Sequence, residues 1–221
     1  MSQRGTTPRP SARNVRKRAP RLPADERRRE IVLAAQDVFG ARGYHKASLG
    51  EIAERVGLTH QGVLHHFGSK EQLFVEVLAL REQLDVADFE NHEPPHGPDL
   101  LRHLVSTAEV NAGRAGLVQA YVVLSAESVT EDHPAQTSFR ERFAVLRRLI
   151  ADALATSVPS DAVSEHEIDD AACAVIAVMD GLQVQWLLEP DAVRMPETVS
   201  LVIEALLHRL RSQAELPGAP D

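Results

Sequence analysis

Apolar residues return at helical spacing through almost all of this chain and almost nowhere alternate with polar ones. Ile31, Ala34, Ala35, Val38 and Phe39 make a first stripe, which predicts a helix opening at Asp25 and stopped by Gly43. Ile52, Ala53 and Val56 make a shorter second stripe, and Val63 with Phe67 a third. Leu73, Val77, Leu80 and Leu84 carry the pattern onto a fourth helix. Three prolines and a glycine within NHEPPHGP (91–98) then force a loop. Beyond it, helices are predicted over 100–113, 116–129 and 134 to about 156. Residues 165–189 are apolar nearly all round and end at Pro190. Pro196 falls in the first turn of the last helix, where proline is tolerated, and Val199, Val202, Ile203, Leu206, Leu207 and Leu210 give that helix a continuous stripe. With 4% aromatic residues and no alternating Val/Ile/Thr runs, strands are not expected. The fold class is all-α.

The punctuation between the second and third stripes is the most specific feature. In SLGEIAERVGLTHQGVLHHFGSK (48–70), Ser48 and Glu51 form an S-x-x-E capping box. Gly57 can end the helix in a left-handed conformation, Leu58 pins the turn, and the Thr59 hydroxyl can cap the next helix. Ser69 with Gln72 opens another. Two helices joined by so short a glycine-containing turn are a helix-turn-helix, whose second helix enters the DNA major groove. The outward positions of that second helix, His60, Gln61, Gly62, His65 and His66, are polar or small, and no acid stands between Glu54 and Glu71. Glutamine pairs bidentately with adenine, and histidine donates to phosphates or base edges. A solvated helix of an acidic protein would carry glutamate instead.

Charge changes the picture further. Residues 1–70 hold 14 Lys/Arg against 6 Asp/Glu, whereas 71–221 hold 10 against 26, so the net charge of −8 conceals a basic module on an acidic body. Phosphate contacts supply the sequence-independent part of DNA affinity, and the positive third is where DNA would dock. Residues 1–24 carry seven of those bases, no acid and four prolines, which reads either as a minor-groove arm or as a solvated disordered tail. Arg27, Arg28 and Arg29 are ill placed for the first helix's dipole but well placed for phosphates.

From Val38 to Phe74 the sequence VFGARGYHKASLGEIAERVGLTHQGVLHHFGSKEQLF resembles the TetR family of transcriptional regulators. An aromatic after glycine, a serine before I-A-x-x-V-G-L, and HHF-x-S-K-E-x-L-F carry the resemblance, which covers the first third of the chain. It implies a homodimer whose C-terminal domain binds a small molecule that alters affinity for a palindromic operator. It also implies roles for single residues. His60, Gln61 and Gly62 match positions that approach base edges. Ser48, His65, His66 and Lys70 match phosphate contacts, with Tyr44, Lys46 and the capping Thr59 beside them. Leu64 stands where the family usually has a tyrosine that touches a phosphate, so that contact is in doubt here. Leu64 could instead meet a thymine methyl.

The expected organisation is a basic arm (1–24), a three-helix DNA-binding domain (25–71), a helical ligand-binding and dimerisation domain (72–215) and a short tail (216–221). A length of 221 residues suffices for one small and one larger domain. The helices at 165–189 and 196–214 are expected to join two copies. Met179, Gln183 and Trp186 share one face of the former; Asn111 lies on the stripe of Leu104 and Ala108; His103 and Tyr121 also point inward. A few polar groups in an apolar setting suit a pocket for a small, largely apolar effector. The same residues would equally serve as core or interface. No membrane segment is expected, because no apolar run reaches the ~18 residues required. Cys173, the only cysteine, falls in an apolar helix as a core residue and fits a reducing cytoplasm. No phosphate loop, nucleophile elbow or carboxylate pair suggests an enzyme, and no cofactor or metal is expected. His60, His65 and His66 diverge around their helix with no carboxylate at ligand spacing. The alternative function is a DNA-binding regulator without a small-molecule effector, controlled by a protein partner or architectural in role.

Overall fold

The computed structural model describes residues 23–86, 95–159 and 163–215, with backbone alone for 81–86 and 213–215. Among these, every regular element is an α-helix: α1 (Ala24–Lys46), α2 (Leu49–Arg55), α3 (His60–Phe67), α4 (Lys70–Val86), α5 (Pro98–Ala112), α6 (Ala115–Glu127), α7 (Gln136–Ala155), α8 (Glu165–Leu188) and α9 (Met195–Glu215). The arm up to residue 22, the first half of the proline loop, the Leu84 side chain and the tail 216–221 lie outside the described residues.

Two hydrophobic clusters organise the helices. The first gathers Ile31, Val38 and Phe39 of α1, Ile52 of α2, Val63 and Phe67 of α3, and Leu73 and Phe74 of α4. It does not stop at the DNA-binding domain: Tyr121 and Leu124 of α6 and Phe139 of α7 complete it. The second joins α5, α7, α8 and α9 through Leu104, Ile150, Leu154, Val175, Trp186 and Val199. Phe39, Phe74 and Ile52 are wholly buried, each worth about 1.5–3 kcal/mol of transfer free energy.

Helix α8 departs from its expected role in two ways. By length and composition it could cross a membrane, with a mean hydropathy of 1.6 over its best window, although no such segment was expected. An averaged hydropathy tolerates its internal Asp180, and a run-based reading does not. Its buried side, including Ile168, Ala172, Val175 and Ile176, packs into the second cluster. Cys173 lies on the opposite side and is exposed, so the expectation of a core cysteine is wrong. Helical geometry turns residue 173 about 100° away from Ala172, and only the docking of α8 decides which side is wet.

The seam between the two clusters is α1 against α6. Gly40 lets the backbones close up, since a Cβ there would stand 3.1 Å from the Ala120 backbone. Gly43 breaks the helix with φ 72° and ψ 169°, but the chain resumes for one more turn instead of ending there, as the stripe had suggested. The Tyr44 N–H freed by that break donates to Glu127 Oε2 at 2.6 Å. The Tyr44 ring packs on Phe39, Phe74 and His133, with centroids 6.0, 4.8 and 5.3 Å away. His133 is buried, and its Nδ1 accepts the Ala135 N–H at 3.2 Å, so the ring proton sits on Nε2. Burial holds this imidazole below its usual pKa.

The Tyr44 hydroxyl donates to Glu71 Oε1 at 3.0 Å. Burial first, then that carboxylate, push the phenol up to about 12. A folded-state pKa above the unfolded value of 10.0 means stability that is complete below pH 10 and lost as pH rises toward 12. A phenolate absorbance titration should therefore show a late step, near pH 12, that belongs to Tyr44. Tyr44→Phe should abolish the late step and its share of the alkaline stability loss. An ordinary titration of both tyrosines would refute the buried hydroxyl–carboxylate pair.

Candidate nucleic-acid interface

Three hydroxyls set the helix-turn-helix. Ser48 Oγ accepts the Glu51 N–H at 3.1 Å, Thr59 Oγ1 the Gly62 N–H at 3.1 Å, and Ser69 Oγ the Gln72 N–H at 3.1 Å. Each saturates one orphan amide of a helix start. Only half of the box expected at Ser48 forms, because the Glu51 carboxylate turns to Arg42 (3.7 Å) and Arg55 (3.9 Å). A complete reciprocal box stands instead at Ser164 and Glu167, opening α8. Gly57 (φ 66°) and Gly68 (φ 73°) close α2 and α3 in conformations that side chains avoid. Leu58 N–H returns to Ala53 O at 2.8 Å and fixes the turn.

Val63 and Phe67 face the core, and their burial dictates what α3 shows the solvent. His60, Gln61 and His65 are exposed; Gly62, Leu64 and His66 are half-buried. Ser48 and Thr59 are exposed beside them. Both use their oxygen as an acceptor, which leaves each O–H able to donate to a phosphate. Burial, then the charges of His65, Arg28 and Arg27, lower the pKa of His66, favouring a neutral ring with a single N–H donor.

Lys46 is exposed on the turn after Gly43. Lys70, at the first turn of α4, lays its ammonium over the Tyr44 ring at 4.5 Å and reaches His45 O at 3.4 Å. Burial lowers its pKa, opposed by Glu71 and Glu127. Tyr44 itself stands apart from the exposed set. Its ring is buried and its O–H is committed to Glu71, so in this arrangement it has no donor for a phosphate. Arg27 and Arg28 also differ from their expected use. Arg27 binds Glu30 and Val56 O; Arg28 binds His66 O and Glu76 and lies 4.4 Å over the Phe67 ring. They brace α1 against α2, α3 and α4, and Arg29 alone of the three is left exposed.

A second candidate site lies in the C-terminal half, a partly open cavity of about 500 Å³ between α4, α5, α6, α7 and α8. Of the residues expected to point inward, His103, Tyr121, Met179 and Gln183 line it. Asn111 and Trp186 do not line it and lie buried elsewhere, Trp186 in the second cluster. Gln183 is 4% exposed, and its Oε1 has no hydrogen-bond partner among the described residues. Thr107, Ser138, Glu141, Arg142 and Asp180 also face the cavity, and sequence reading missed all five. They come from three different helices, so no local pattern marks them. Glu127 was missed too, although it left a signal as the single charged residue of α6.

The comparisons with known proteins agree with this geometry. Residues 31–77 match the profile of bacterial regulatory proteins of the tetR family, and 99–212 match that of the BetI-type transcriptional repressor C-terminal domain. The HTH-type transcriptional repressor BepR of Brucella suis is 28% identical over 203 residues, 88% of this chain and 96% of the relative. The HTH-type transcriptional activator FasR of Mycolicibacterium smegmatis is 47% identical over only 62 residues, 28% of each chain. A transcriptional regulator from Saccharomonospora viridis, solved in complex with choline, superposes with a TM-score of 0.66 at 21% identity, covering 84% of this chain and 98% of that one. With both halves matched and the helix-turn-helix formed, the chain belongs to the TetR family of DNA-binding transcriptional regulators.

Proposed function

We propose that this regulator is a cytoplasmic repressor that reads a palindromic operator as a homodimer and is released by a small, largely apolar effector. The observation that carries the DNA half is the acid-free outer face of α3, with His60 and Gln61 exposed in its first turn and donors on either flank. His60, Gln61 and Gly62 meet base edges, with Leu64 beside them; Ser48, Thr59, Lys46, His65, His66 and Lys70 meet phosphates. BepR, alike over nearly its full length, is named a repressor, which supports that sign of regulation.

Two-fold pairing is supported by what α8 and α9 leave uncovered. Val184 (44% exposed), Leu188 (77%) and Leu201 (64%) stand outward on helices whose other sides are core. A second copy laid on this face buries them and spaces two α3 helices for half-sites ~34–36 Å apart. The effector reading rests on the cavity. Its apolar walls suit a hydrocarbon body, and the unpartnered Gln183 Oε1 asks for one N–H or O–H donor. The neighbour from Saccharomonospora viridis, which was solved in complex with choline, supports a small-ligand reading. Release requires the effector to favour the DNA-incompetent spacing over the competent one.

Three measurements test these parts separately. With a duplex selected from a random pool, Lys70→Ala should weaken all sequences alike and flatten the salt dependence. Gln61→Ala should change which duplexes are selected. Equal binding to every duplex would sink the repressor reading. Val184→Glu should give a monomer by sedimentation at micromolar concentration, and a wild-type monomer would overturn the dimer. Thermal-shift screening of lipophilic compounds should yield hits that weaken operator binding, and Gln183→Leu should cost donor-bearing hits about tenfold in affinity. If no compound alters operator binding, control by a protein partner is the better account.

A further inference from the structure

Glu127 is the last residue of α6, and nothing in its own helix explains a carboxylate there. Its Oε2 takes the Tyr44 N–H at 2.6 Å, from 83 residues away in sequence. It occupies the space beside Gly43 where any side chain would stand, because a Cβ at 43 would overlap this carboxylate. Tyr44, held in this way, is the platform for Lys70, whose ammonium lies 4.5 Å over its ring. Lys70 also reaches the carbonyl of His45, the residue that follows. The His133 ring closes the other side, edge-on to Tyr44, His45 and Phe74 at 5.3, 5.4 and 6.0 Å. A residue of the C-terminal half thus fixes the turn on which a DNA-facing lysine rests.

We infer that Glu127 is a positioning residue for DNA binding: by accepting the Tyr44 N–H across the Gly43 break, it holds the Lys70 ammonium where a backbone phosphate is met. The inference rests on the reading of Lys70 as a phosphate contact. Glu127 touches no DNA itself, and its negative charge, taken alone, opposes the approach of a phosphate to Lys70. Loss of the charge and loss of the acceptor therefore push affinity in opposite directions, and substitutions can separate them. Glutamine keeps an acceptor at the same reach. Aspartate keeps the charge but is one methylene too short, and alanine keeps neither.

The test measures binding of the full chain to a duplex selected from a random pool by the wild-type protein, over a series of salt concentrations. Lys70→Ala should weaken binding about tenfold or more per contact and flatten the log–log salt slope by about 0.9 for each phosphate lost. Glu127→Ala and Glu127→Asp should flatten the slope in the same way, and combining Glu127→Ala with Lys70→Ala should add little. Glu127→Gln should keep the wild-type slope. A purely structural Glu127 would lower the melting temperature of the alanine variant and leave the slope alone, which would overturn the inference. So would equal strengthening by Gln and Ala, the mark of charge removal only. An unchanged slope in Lys70→Ala removes the underlying phosphate contact, and the inference falls with it. In the wild-type protein the Tyr44 amide should be slow in hydrogen exchange. A fast one overturns the inference without recourse to variants.

Discussion

The structure depends on α1 being held by two partners at once. Its inner face supplies Ile31, Val38 and Phe39 to the small domain's core, while Gly40 brings its backbone against Ala120 of α6. Because interiors are close-packed, neither contact can shift without disturbing the other. The aromatic set of Phe39, Tyr44, Phe74 and His133 lies at that junction and is drawn from α1, α4 and the α6–α7 connection. The helix-turn-helix is then built outward from α1 as a rigid consequence.

Polar groups are arranged to the same end. Arg28 reaches across from α1 to a carbonyl of α3 and a carboxylate of α4, and its guanidinium covers Phe67. Arginine suits this place because a planar fork bridges two acceptors and also stacks on a ring. Arg27 and Arg28, near the start of α1, are thus spent on bracing it against α2, α3 and α4, and Arg29 is left exposed. The cavity in the C-terminal half obeys a related rule. A buried amide oxygen without a partner costs free energy, and Gln183 Oε1, unpartnered among the described residues, lies beside a cavity of about 500 Å³.

Local physics made much of this legible. Helical stripes placed α5 to α9 within a few residues, because burying one face of a helix imposes its own period. Ser48, Thr59 and Ser69 were readable as caps since each satisfies an amide three residues away, a distance that sequence reports directly. The same holds for Gly57 and Gly68. Readings failed where two segments compete for one group. Glu51 had to choose between Ser48 and two arginines, and chose the arginines. Gly43 looked like a helix end, yet the chain turns once more because Glu127 supplies the acceptor that the break demands.

By itself, then, the sequence determined the all-helical class, the caps and turns of the DNA-reading unit, and the basic-to-acidic asymmetry that tells which end meets DNA. All of these follow from interactions within a few residues or from summed charge. Tertiary structure alone decided which polar residues share the cavity, why Asn111 and Trp186 are left out of it, and which side of α8 exposes Cys173. It also decided that Tyr44 is a buried platform instead of a surface donor. Those outcomes depend on how helices rotate about their axes when they pack, and a periodic stripe fixes that rotation only to within the breadth of its apolar face.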